Sequence, residues 1–435
     1  MDFSIPRGTK DIVPDNIDIW VFVEDTLRRI AGNYGYREIR TPIFEHTEVF
    51  SRSVGEDSDI VSKEMYSFKD RGERSITLRP EGTAAVVRAY LENRFNALPR
   101  PVKLFYYGPM FRYDRPQAGR QRQFHQFGLE LFGAEHPASD VEVMALIMDF
   151  LHEVKLSQNV KLHINSVGCE ECRKTYRGAL KSFLAPRREN LCGDCDRRLE
   201  SNPLRVLDCK KEYCRTQFEG VPRITEHICS ACSQHFDEVK TILTDLNIPY
   251  ISDPGLVRGL DYYSRTAFEF VADGLGAQSS IGGGGRYDTL VTVFGGDQTP
   301  AVGLAMGMER LILLLEEKRE NFLTKEELSV FLSPHSNDID SVSAAMKIAS
   351  AIRKKGIRAE VDFVERSLKA RMKYAGKKNF SHVIIFNANT EEKEGRPVES
   401  KDSRHLTVTL KNMNTGEQAE TTAQKVPEHI TASAL

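Results

Sequence analysis

Arg-Gly-Leu-Asp-Tyr-Tyr at residues 258–263 is the most informative stretch of this 435-residue sequence. Two motifs come before it, Leu-Arg-Pro-Glu-Gly-Thr at 78–83 and Phe-Arg-Tyr-Asp-Arg-Pro at 111–116. A fourth motif, Gly-Leu-Ala-Met-Gly-Met-Glu-Arg-Leu, follows at 303–311. Each motif alone is a weak signal, and it is their order and spacing that narrow the interpretation.

The composition is that of an ordinary globular protein, with 40% hydrophobic and 28% charged residues. A chain of this length is too long for one core, so two or three domains are expected. The N-terminus lacks the pattern of a signal peptide, and no uncharged apolar run reaches the length of a membrane span. We therefore expect a cytosolic protein without membrane contact. The net charge of −2 does not exclude nucleic-acid binding, because phosphate binding depends on local basic patches.

The spacing of hydrophobic residues predicts which helices and strands surround the motifs. A helix containing Trp20, Val23, Leu27 and Ile30 precedes a strand at 36–42. Two strands near 103–107 and 123–128 flank an arginine-rich loop, further strands follow over 267–304, and a helix runs from Met308 to Leu315. After the charged segment 316–327, strands and helices alternate, which predicts a separate α/β domain of about 100 residues.

Taken together, the four motifs resemble the catalytic core of the histidyl-tRNA synthetases, which are class II aminoacyl-tRNA synthetases. The resemblance extends over nearly the whole chain. It implies an α+β catalytic domain on a mostly antiparallel sheet, a small cysteine-rich insertion and a C-terminal α/β anticodon-binding domain. The corresponding bounds are 1–165 and 251–318 for the catalytic domain, 166–250 for the insertion and 328–435 for the last domain. The first helix and strand resemble the family's dimer-forming motif, so a homodimer is implied.

The implied reaction is ATP-dependent activation of L-histidine and transfer of the histidyl group to the 3′ end of histidine tRNA, with Mg²⁺ accompanying ATP. Negative charge grows on the α-phosphate during activation, and the planar fork of arginine suits it. By resemblance, Arg112 and Arg258 are the catalytic residues, and Arg112, Asp114 and Arg310 bind ATP. Asp114 departs from the family's more common glutamate, which is one methylene longer.

Histidine recognition is also implied by the resemblance. Glu81, Thr83 and Gln126 would accept from the α-ammonium group, while Glu130 and Tyr263 would face the imidazole and Tyr262 would line the pocket. The complete implied histidine set is Glu81, Gly82, Thr83, Arg112, Gln126, Glu130, Arg258, Tyr262 and Tyr263. Buried acceptors left unpaired by other amino acids can give discrimination of roughly 10⁴ or more, so no editing domain is needed.

All eight cysteines lie between residues 169 and 232. They form the dyads 169/172, 192/195, 209/214 and 229/232, and C-x₂-C spacing suits tetrahedral zinc in a cytosolic protein. Four thiolates leave no open coordination position, so any zinc would be structural. The candidate ligands are Cys192, Cys195, Cys229 and Cys232, but sequence does not decide which dyads share an ion. Reduced cysteines packed in a metal-free core are the alternative.

The C-terminal domain offers a basic face for tRNA phosphates. Arg366, Lys369, Lys373 and Lys377 share one side of a helix predicted over 366–378. Gln117 and the nearby arginines are candidates for contacting the tRNA end.

Two other functions compete with the enzyme. A catalytically silent paralogue could serve as the regulatory subunit of ATP phosphoribosyltransferase, but such paralogues typically lack the C-terminal domain and key site residues. A zinc-ribbon nucleic-acid-binding protein would explain only the cysteines. P-loop and dinucleotide-binding functions are disfavoured because neither glycine motif is present, although Gly282–Gly285 would allow a close approach of substrate to the backbone.

Overall fold

The computed structural model consists of two compact units, residues 1–323 and 324–435. It describes residues 3–55, 58, 60–201, 203–207, 209, 211–257, 262–273, 279–319, 322, 328–387 and 407–432. Among helices in these parts of the chain, none has both the length and the apolar character needed to cross a bilayer.

The first unit contains ten α-helices and eleven strands within its described residues. The helices are α1 Pro14–Asn33, α2 Thr47–Val54, α3 Thr83–Glu92, α4 Ala138–Glu153, α5 Glu170–Leu184, α6 Gly193–Ser201, α7 Glu212–Arg215, α8 Ser230–Asp245, α9 Leu290–Val293 and α10 Met308–Glu316. The strands are β1 Arg37–Glu38, β2 Phe44–His46, β3 Tyr66–Lys69, β4 Ser75–Leu78, β5 Val102–Phe111, β6 Gln123–Phe132, β7 Val160–Ser166, β8 Tyr250–Ser252, β9 Ser264–Ala272, β10 Ser280–Arg286 and β11 Ala301–Gly307. Shorter helical turns are Ile60–Glu64, Phe95–Ala97, Ala185–Asn190, Pro203–Val206, Thr216–Phe218 and Ile224–Glu226.

An eight-stranded sheet organises this unit in the order β1-β5-β6-β11-β10-β9-β7-β8. Every pairing from β5 to β7 is antiparallel, and the edge pairs β1·β5 and β7·β8 are parallel. The prediction of a mostly antiparallel sheet is therefore confirmed. A separate three-stranded antiparallel sheet has the order β2-β4-β3.

The two faces of the large sheet bury different cores, because successive side chains of a strand point to opposite faces. On β5, Phe105 joins a core formed with α1, α4, α8 and α10. Its neighbours Leu104 and Tyr106 join a second core that includes residues of α3 and α5 and the tyrosines at 262 and 263. The predicted helical face of α1 is confirmed, since Trp20, Val23, Leu27 and Ile30 are all buried.

The strand predicted over 36–42 is shorter than expected. The ladder contains only Arg37 and Glu38, which pair with Leu104 and Phe105 of β5. One further hydrogen bond joins the Ile39 amide to the Phe105 carbonyl at 2.8 Å. Strand β1 lies at the edge of the sheet and has one neighbour, β5. Pro42 has no amide hydrogen with which to extend this pairing.

The second unit has the α/β pattern that the sequence predicted. Its elements are β12 Ser329–Ser333, α11 Ile339–Arg353, β13 Arg358–Val361, α12 Leu368–Lys377, β14 His382–Phe386, β15 Thr407–Asn412, β16 Gln418–Thr422 and α13 Val426–Ala432. The sheet order is β13-β12-β14-β15-β16, with parallel pairs on both sides of β12 and antiparallel pairs from β14 to β16.

The basic helix of this unit begins later than predicted. Ser367 is its N-cap, and the Ser367 hydroxyl accepts a hydrogen bond from the Ala370 amide. Arg366 therefore precedes the helix, where its guanidinium lies 4.4 Å from the Tyr374 ring centroid. Lys369, Lys373 and Lys377 are on the helix and exposed.

Candidate active site

Strand β6 provides the axis of a cleft on the large sheet. Phe124, Gln126 and Glu130 occupy alternate positions and so share one face of the strand. The loop that joins β5 to β6 lies at the Phe124 end, and Glu130 is about 20 Å further along the strand at 3.3 Å per residue. The cleft contains about 950 Å³ of empty space, including the part open to solvent.

Glu81 forms one wall of this cleft at the start of α3. Its carboxylate is 3% exposed and accepts from the Thr83 amide at 2.7 Å and the Ala84 amide at 2.9 Å. Burial raises the pKa of Glu81, while these two amide donors act in the opposite direction. Gly82 is the N-cap of the helix, and the Arg112 guanidinium lies close enough to favour the charged form of Glu81.

Glu130 lies behind that wall and has no exposed surface. The Thr83 hydroxyl donates to Oε1 at 2.7 Å, and the Tyr287 hydroxyl donates to Oε2. Burial raises the pKa of Glu130 to about 8, despite the opposing effect of both hydroxyl donors. Both oxygens already have partners, so an imidazole N–H would have to share an oxygen with Thr83 or Tyr287.

Glycines make room for this buried arrangement. A Cβ on Gly303 would lie 1.9 Å from Glu130 Oε2. The Tyr106 ring occupies the space beside Gly82 and Gly128, where an added Cβ would come within 2.2 Å and 2.1 Å of ring atoms. These positions exclude side chains because the carboxylate and the phenol ring take that space.

Gln126 and two tyrosines complete the polar part of the cleft. Gln126 is 8% exposed, and within the described residues its Oε1 has no hydrogen-bond partner. The rings of Tyr262 and Tyr263 lie 4.7 Å apart and both line the cleft. A buried acceptor without a partner is costly, so Gln126 is prepared to receive a ligand donor such as an ammonium group.

Arginines occupy the other end. Arg112 follows β5, donates from Nε to the Pro80 carbonyl at 2.8 Å, and stacks 5.3 Å from the Phe124 ring centroid. Arg310 in α10 donates from Nε to the Gly119 carbonyl at 3.1 Å. Burial lowers the pKa of Arg112 and of Arg310, and the charge of Arg120 adds to both effects. Cations that repel one another in a partly buried cleft favour a polyanionic ligand.

Asp114 holds the loop between β5 and β6 in shape. Its carboxylate contacts Arg120 Nε at 2.6 Å and accepts from the Arg115 amide at 2.6 Å. The loop is closed by a hydrogen bond from the Arg112 amide to the Arg122 carbonyl at 2.9 Å. Asp114 lines the cleft, and its partners Arg120 and Arg115 are within its own loop, so its role in binding ATP stays a prediction.

The structure brings nearly all of the predicted histidine and ATP residues into one region, while Arg258 lies outside the described residues. Sequence analysis did not identify Arg120, Phe124 and Glu309 as cleft residues. Glu309 accepts from the His125 amide at 2.8 Å and ring Nδ1 at 3.0 Å. The alternation of β6 was a signal for Phe124, since it shares the face of Gln126, whereas the position of Glu309 depends on the packing of α10 against β6.

The cysteines form two clusters. We call Cys169, Cys172, Cys229 and Cys232 the proximal cluster, and Cys192, Cys195, Cys209 and Cys214 the distal cluster. In each, the four sulfur atoms lie within 4.8 Å of one another. The candidate ligands Cys192/Cys195 and Cys229/Cys232 therefore lie in different clusters. None of the eight is in a disulfide, and four convergent thiols are a donor set that fits zinc.

The antiparallel sheet, its arginine-bearing hairpin and the final strand–helix pair define a class II aminoacyl-tRNA synthetase fold. Residues 8–171 and 215–311 match the family model described as "Histidyl-tRNA synthetase", and residues 329–433 match "Anticodon binding domain". The chain belongs to the histidyl-tRNA synthetase family.

Similar proteins cover essentially the whole chain. The "Histidine--tRNA ligase" of Desulforamulus reducens is 50% identical over 427 residues, 98% of each protein. An apo histidyl-tRNA synthetase structure from S. aureus has a TM-score of 0.80 at 38% identity, covering 99% of this chain and 100% of that one. A Bacillus halodurans structure titled "ATP phosphoribosyltransferase regulatory subunit/histidyl-tRNA synthetase" has a TM-score of 0.64 at 22% identity, covering 89% and 100%, and shows the same fold.

Proposed function

We propose that this protein activates L-histidine with ATP to form histidyl-adenylate and transfers the histidyl group to the 3′ end of histidine tRNA. The observation that carries the proposal is the charge polarity of the cleft along β6. Buried acceptors stand toward one end and three arginines toward the other. An amino acid with a cationic ammonium group and a nucleotide with anionic phosphates would meet between them.

Histidine would bind among the acceptors. Glu81, Thr83 and Gln126 receive the ammonium group, and the unpartnered Oε1 of Gln126 supports this role. Tyr263 and Glu130 receive the imidazole, with Tyr262 and the backbone at Gly82 shaping the pocket. Other amino acids would leave these buried groups unpaired, which is the physical source of the selectivity.

ATP would bind among the arginines. Arg112 and Arg310 neutralise the phosphates, Arg258 stabilises the charge that grows on the α-phosphate, and Arg120 adds a further cation. Phe124 offers an aromatic face, and Asp114 keeps the hairpin loop in position through Arg120. The Mg²⁺ that accompanies ATP supplies further charge neutralisation, and Glu309 is a cleft carboxylate of the type that Mg²⁺ prefers.

The catalytic interpretation is favoured over a regulatory paralogue. The chain retains Arg112 and Arg310 in the cleft and has a C-terminal segment that matches an anticodon-binding domain. High identity to histidine--tRNA ligases over nearly the full length points the same way. On this basis Lys369, Lys373 and Lys377 are proposed to contact tRNA phosphates, and the cytoplasm is the proposed site of action.

A homodimer is also proposed, supported by exposed apolar residues on the N-terminal helix and on the three-stranded sheet. Ile17 and Val21 are four residues apart on α1, with exposed fractions of 36% and 46%. Phe44 on β2 and Phe68 on β3 are likewise about half exposed. Apolar surface of this kind is typical of protein interfaces.

The direct test is ATP–pyrophosphate exchange with each of the twenty amino acids in turn, with Mg²⁺ present. Exchange with histidine alone is expected, followed by charging of histidine tRNA. A folded protein that exchanges with no amino acid would overturn the proposal and favour the regulatory paralogue.

A further inference from the structure

The geometry of the two cysteine clusters suits metal binding. In each, the sulfur atoms lie within 4.8 Å of one another. The edge of a tetrahedron with Zn–S bonds of about 2.3 Å is about 3.8 Å, so a small contraction would complete either site. In each cluster a backbone amide also donates to a sulfur atom at 3.1 Å, Cys229 to Cys172 and Cys192 to Cys214. Such amide donors stabilise thiolate charge.

The proximal cluster joins the starts of two helices. Cys169 is the N-cap of α5 and Cys229 the N-cap of α8, so Cys172 and Cys232 lie in the first turns. Gly168 has φ +67°, and a Cβ there would lie 2.4 Å from Cys172 Cβ. The backbone is thus shaped to bring both dyads together where helix dipoles favour negative sulfur.

The distal cluster is the centre of a very small core. Its four cysteines are buried together with Leu184, Leu199 and Val206. The described chain around it forms short helices and turns without a strand. A core of this size supplies little stabilisation without a cross-link or metal ion.

The proximal cluster is directly connected to the histidine pocket. The Arg173 amide donates to the Cys169 carbonyl at 3.0 Å, and the Arg173 guanidinium donates to the Tyr263 carbonyl. On the other side of Cys169, the Val167 amide donates to the Arg265 carbonyl at 2.7 Å, and the Arg265 amide donates to the Gly168 carbonyl at 2.9 Å. The start of α5 and the start of β9 are therefore held together just behind Tyr263.

We propose that the chain binds two zinc ions, one per cluster, and that the two ions differ in role. Each cluster exchanges four thiol protons for one Zn²⁺. The distal ion stabilises only the cysteine-rich insertion and has no role at the histidine pocket. The proximal ion fixes the start of α5, so that Arg173 positions Tyr263 for histidine. This second part rests on the proposed function, whereas metal binding does not.

Zinc content of the purified full-length protein tests the pairing. About two ions per chain are expected in the wild type, and about one in either Cys169→Ser or Cys229→Ser. The double variant C169S/C229S should still retain about one, because both residues serve the same ion. C169S/C192S should retain almost none. Zinc-free folded wild type, or loss of both ions in C169S/C229S, would overturn the assignment.

If the serine variants do not fold, the number of metal sites can be measured on the wild-type protein with Co²⁺ in place of zinc. Full-length protein reconstituted with Co²⁺ should show thiolate-to-metal charge-transfer absorption that saturates at two equivalents. Saturation at one equivalent, or an absence of tetrahedral bands, would contradict two tetrathiolate sites.

Arg173→Ala tests the positioning role. It should keep two zinc ions yet raise KM for histidine roughly tenfold, with KM for ATP nearly unchanged. C229S should likewise raise KM for histidine and leave KM for ATP nearly unchanged. C195S in the distal cluster should lose one ion with little change in either KM. An unchanged KM for histidine in R173A would overturn the coupling. Absence of exchange in the wild type would instead overturn the proposed function and leave the zinc counts valid.

Discussion

Glu130 shows how a single buried residue can make stability depend on pH. Burial raises its pKa to about 8 in the folded protein, from 4.5 in an exposed setting. Between these values the folded state holds a proton that the unfolded state has released. Glu130 therefore contributes most to the free energy of unfolding at the low-pH end of this window. That contribution falls as pH rises toward 8, by up to about 1.4 kcal/mol per pH unit.

Glu130→Gln should flatten this dependence, because the amide is neutral at every pH in the range. Urea midpoints from pH 5 to 8 can be followed by the fluorescence of Trp20, the single tryptophan and a buried residue of the first unit. Glu92→Gln, at an exposed position on the same helix as Thr83, is the control and should keep the wild-type slope. Equal slopes for wild type and Glu130→Gln would contradict a proton held at Glu130.

The motif at residues 258–263 leads to a prediction for the variant Arg258→Ala. The proposed role of Arg258 is to stabilise the charge that grows on the α-phosphate, so its loss should slow adenylate formation by at least ~10²-fold, with a milder effect on histidine binding. Single-turnover formation of the adenylate measures this step. Arg197→Ala, an exposed arginine on α6 paired with Asp194, is the matched control. A near wild-type rate in Arg258→Ala would remove Arg258 from the mechanism.

The sequence identified most of the cleft residues through motifs, and it failed where a residue's role depends on tertiary packing. Glu81 and Gln126 were predicted and line the cleft. Arg120 belongs to the loop that the sequence identified only as arginine-rich. It lines the cleft because the loop folds back through Asp114, a contact that loop composition does not reveal.

In the large sheet, the β6–β11 pairing leaves no room for a side chain at Gly303. Gly303 pairs with Glu130 in this ladder, and the space of its missing side chain is filled by the Glu130 carboxylate. Gly303→Ala should destabilise the first unit by roughly 1–3 kcal/mol and raise KM for histidine, because the carboxylate must move. Urea denaturation and exchange kinetics measure the two effects.

Gly178→Ala is the matched comparison within a helix. It lies in α5 with no atom within 4 Å of a built Cβ, so alanine should be neutral or stabilise by about 0.5–1 kcal/mol. If Gly303→Ala and Gly178→Ala both changed the free energy of unfolding by the same small amount, this result would contradict tight packing at Gly303.

Element boundaries were less predictable than the elements themselves. The basic helix was predicted from Arg366 but begins after Ser367, whose hydroxyl caps it. Periodicity of charge continues smoothly across such a cap, so spacing alone does not reveal it. The two-residue length of β1 likewise depends on having a single neighbour, which sequence does not specify.

The whole molecule consists of two units with separate cores. The second unit buries its own apolar residues, centred on Val330, Leu332, Ile348 and Ile384. A protein truncated to residues 1–323 should therefore retain histidine-dependent pyrophosphate exchange near the full-length rate. Charging of histidine tRNA should fall by roughly 10²-fold, because the tRNA contacts proposed for the second unit would be lost. Equal loss of exchange and charging would show that the second unit is needed for the chemistry itself.

The order and spacing of the four motifs identified the family, and the resemblance implied the antiparallel sheet and the donor residues of the cleft. The motifs and the cysteine dyads are local in the chain, so residue type and spacing reveal them. The sequence did not show which cysteine dyads meet, that Glu130 is enclosed by Thr83 and Tyr287, or that Arg173 reaches Tyr263. Such contacts join segments up to 157 residues apart in sequence, and these segments meet only because the sheet and helices pack together.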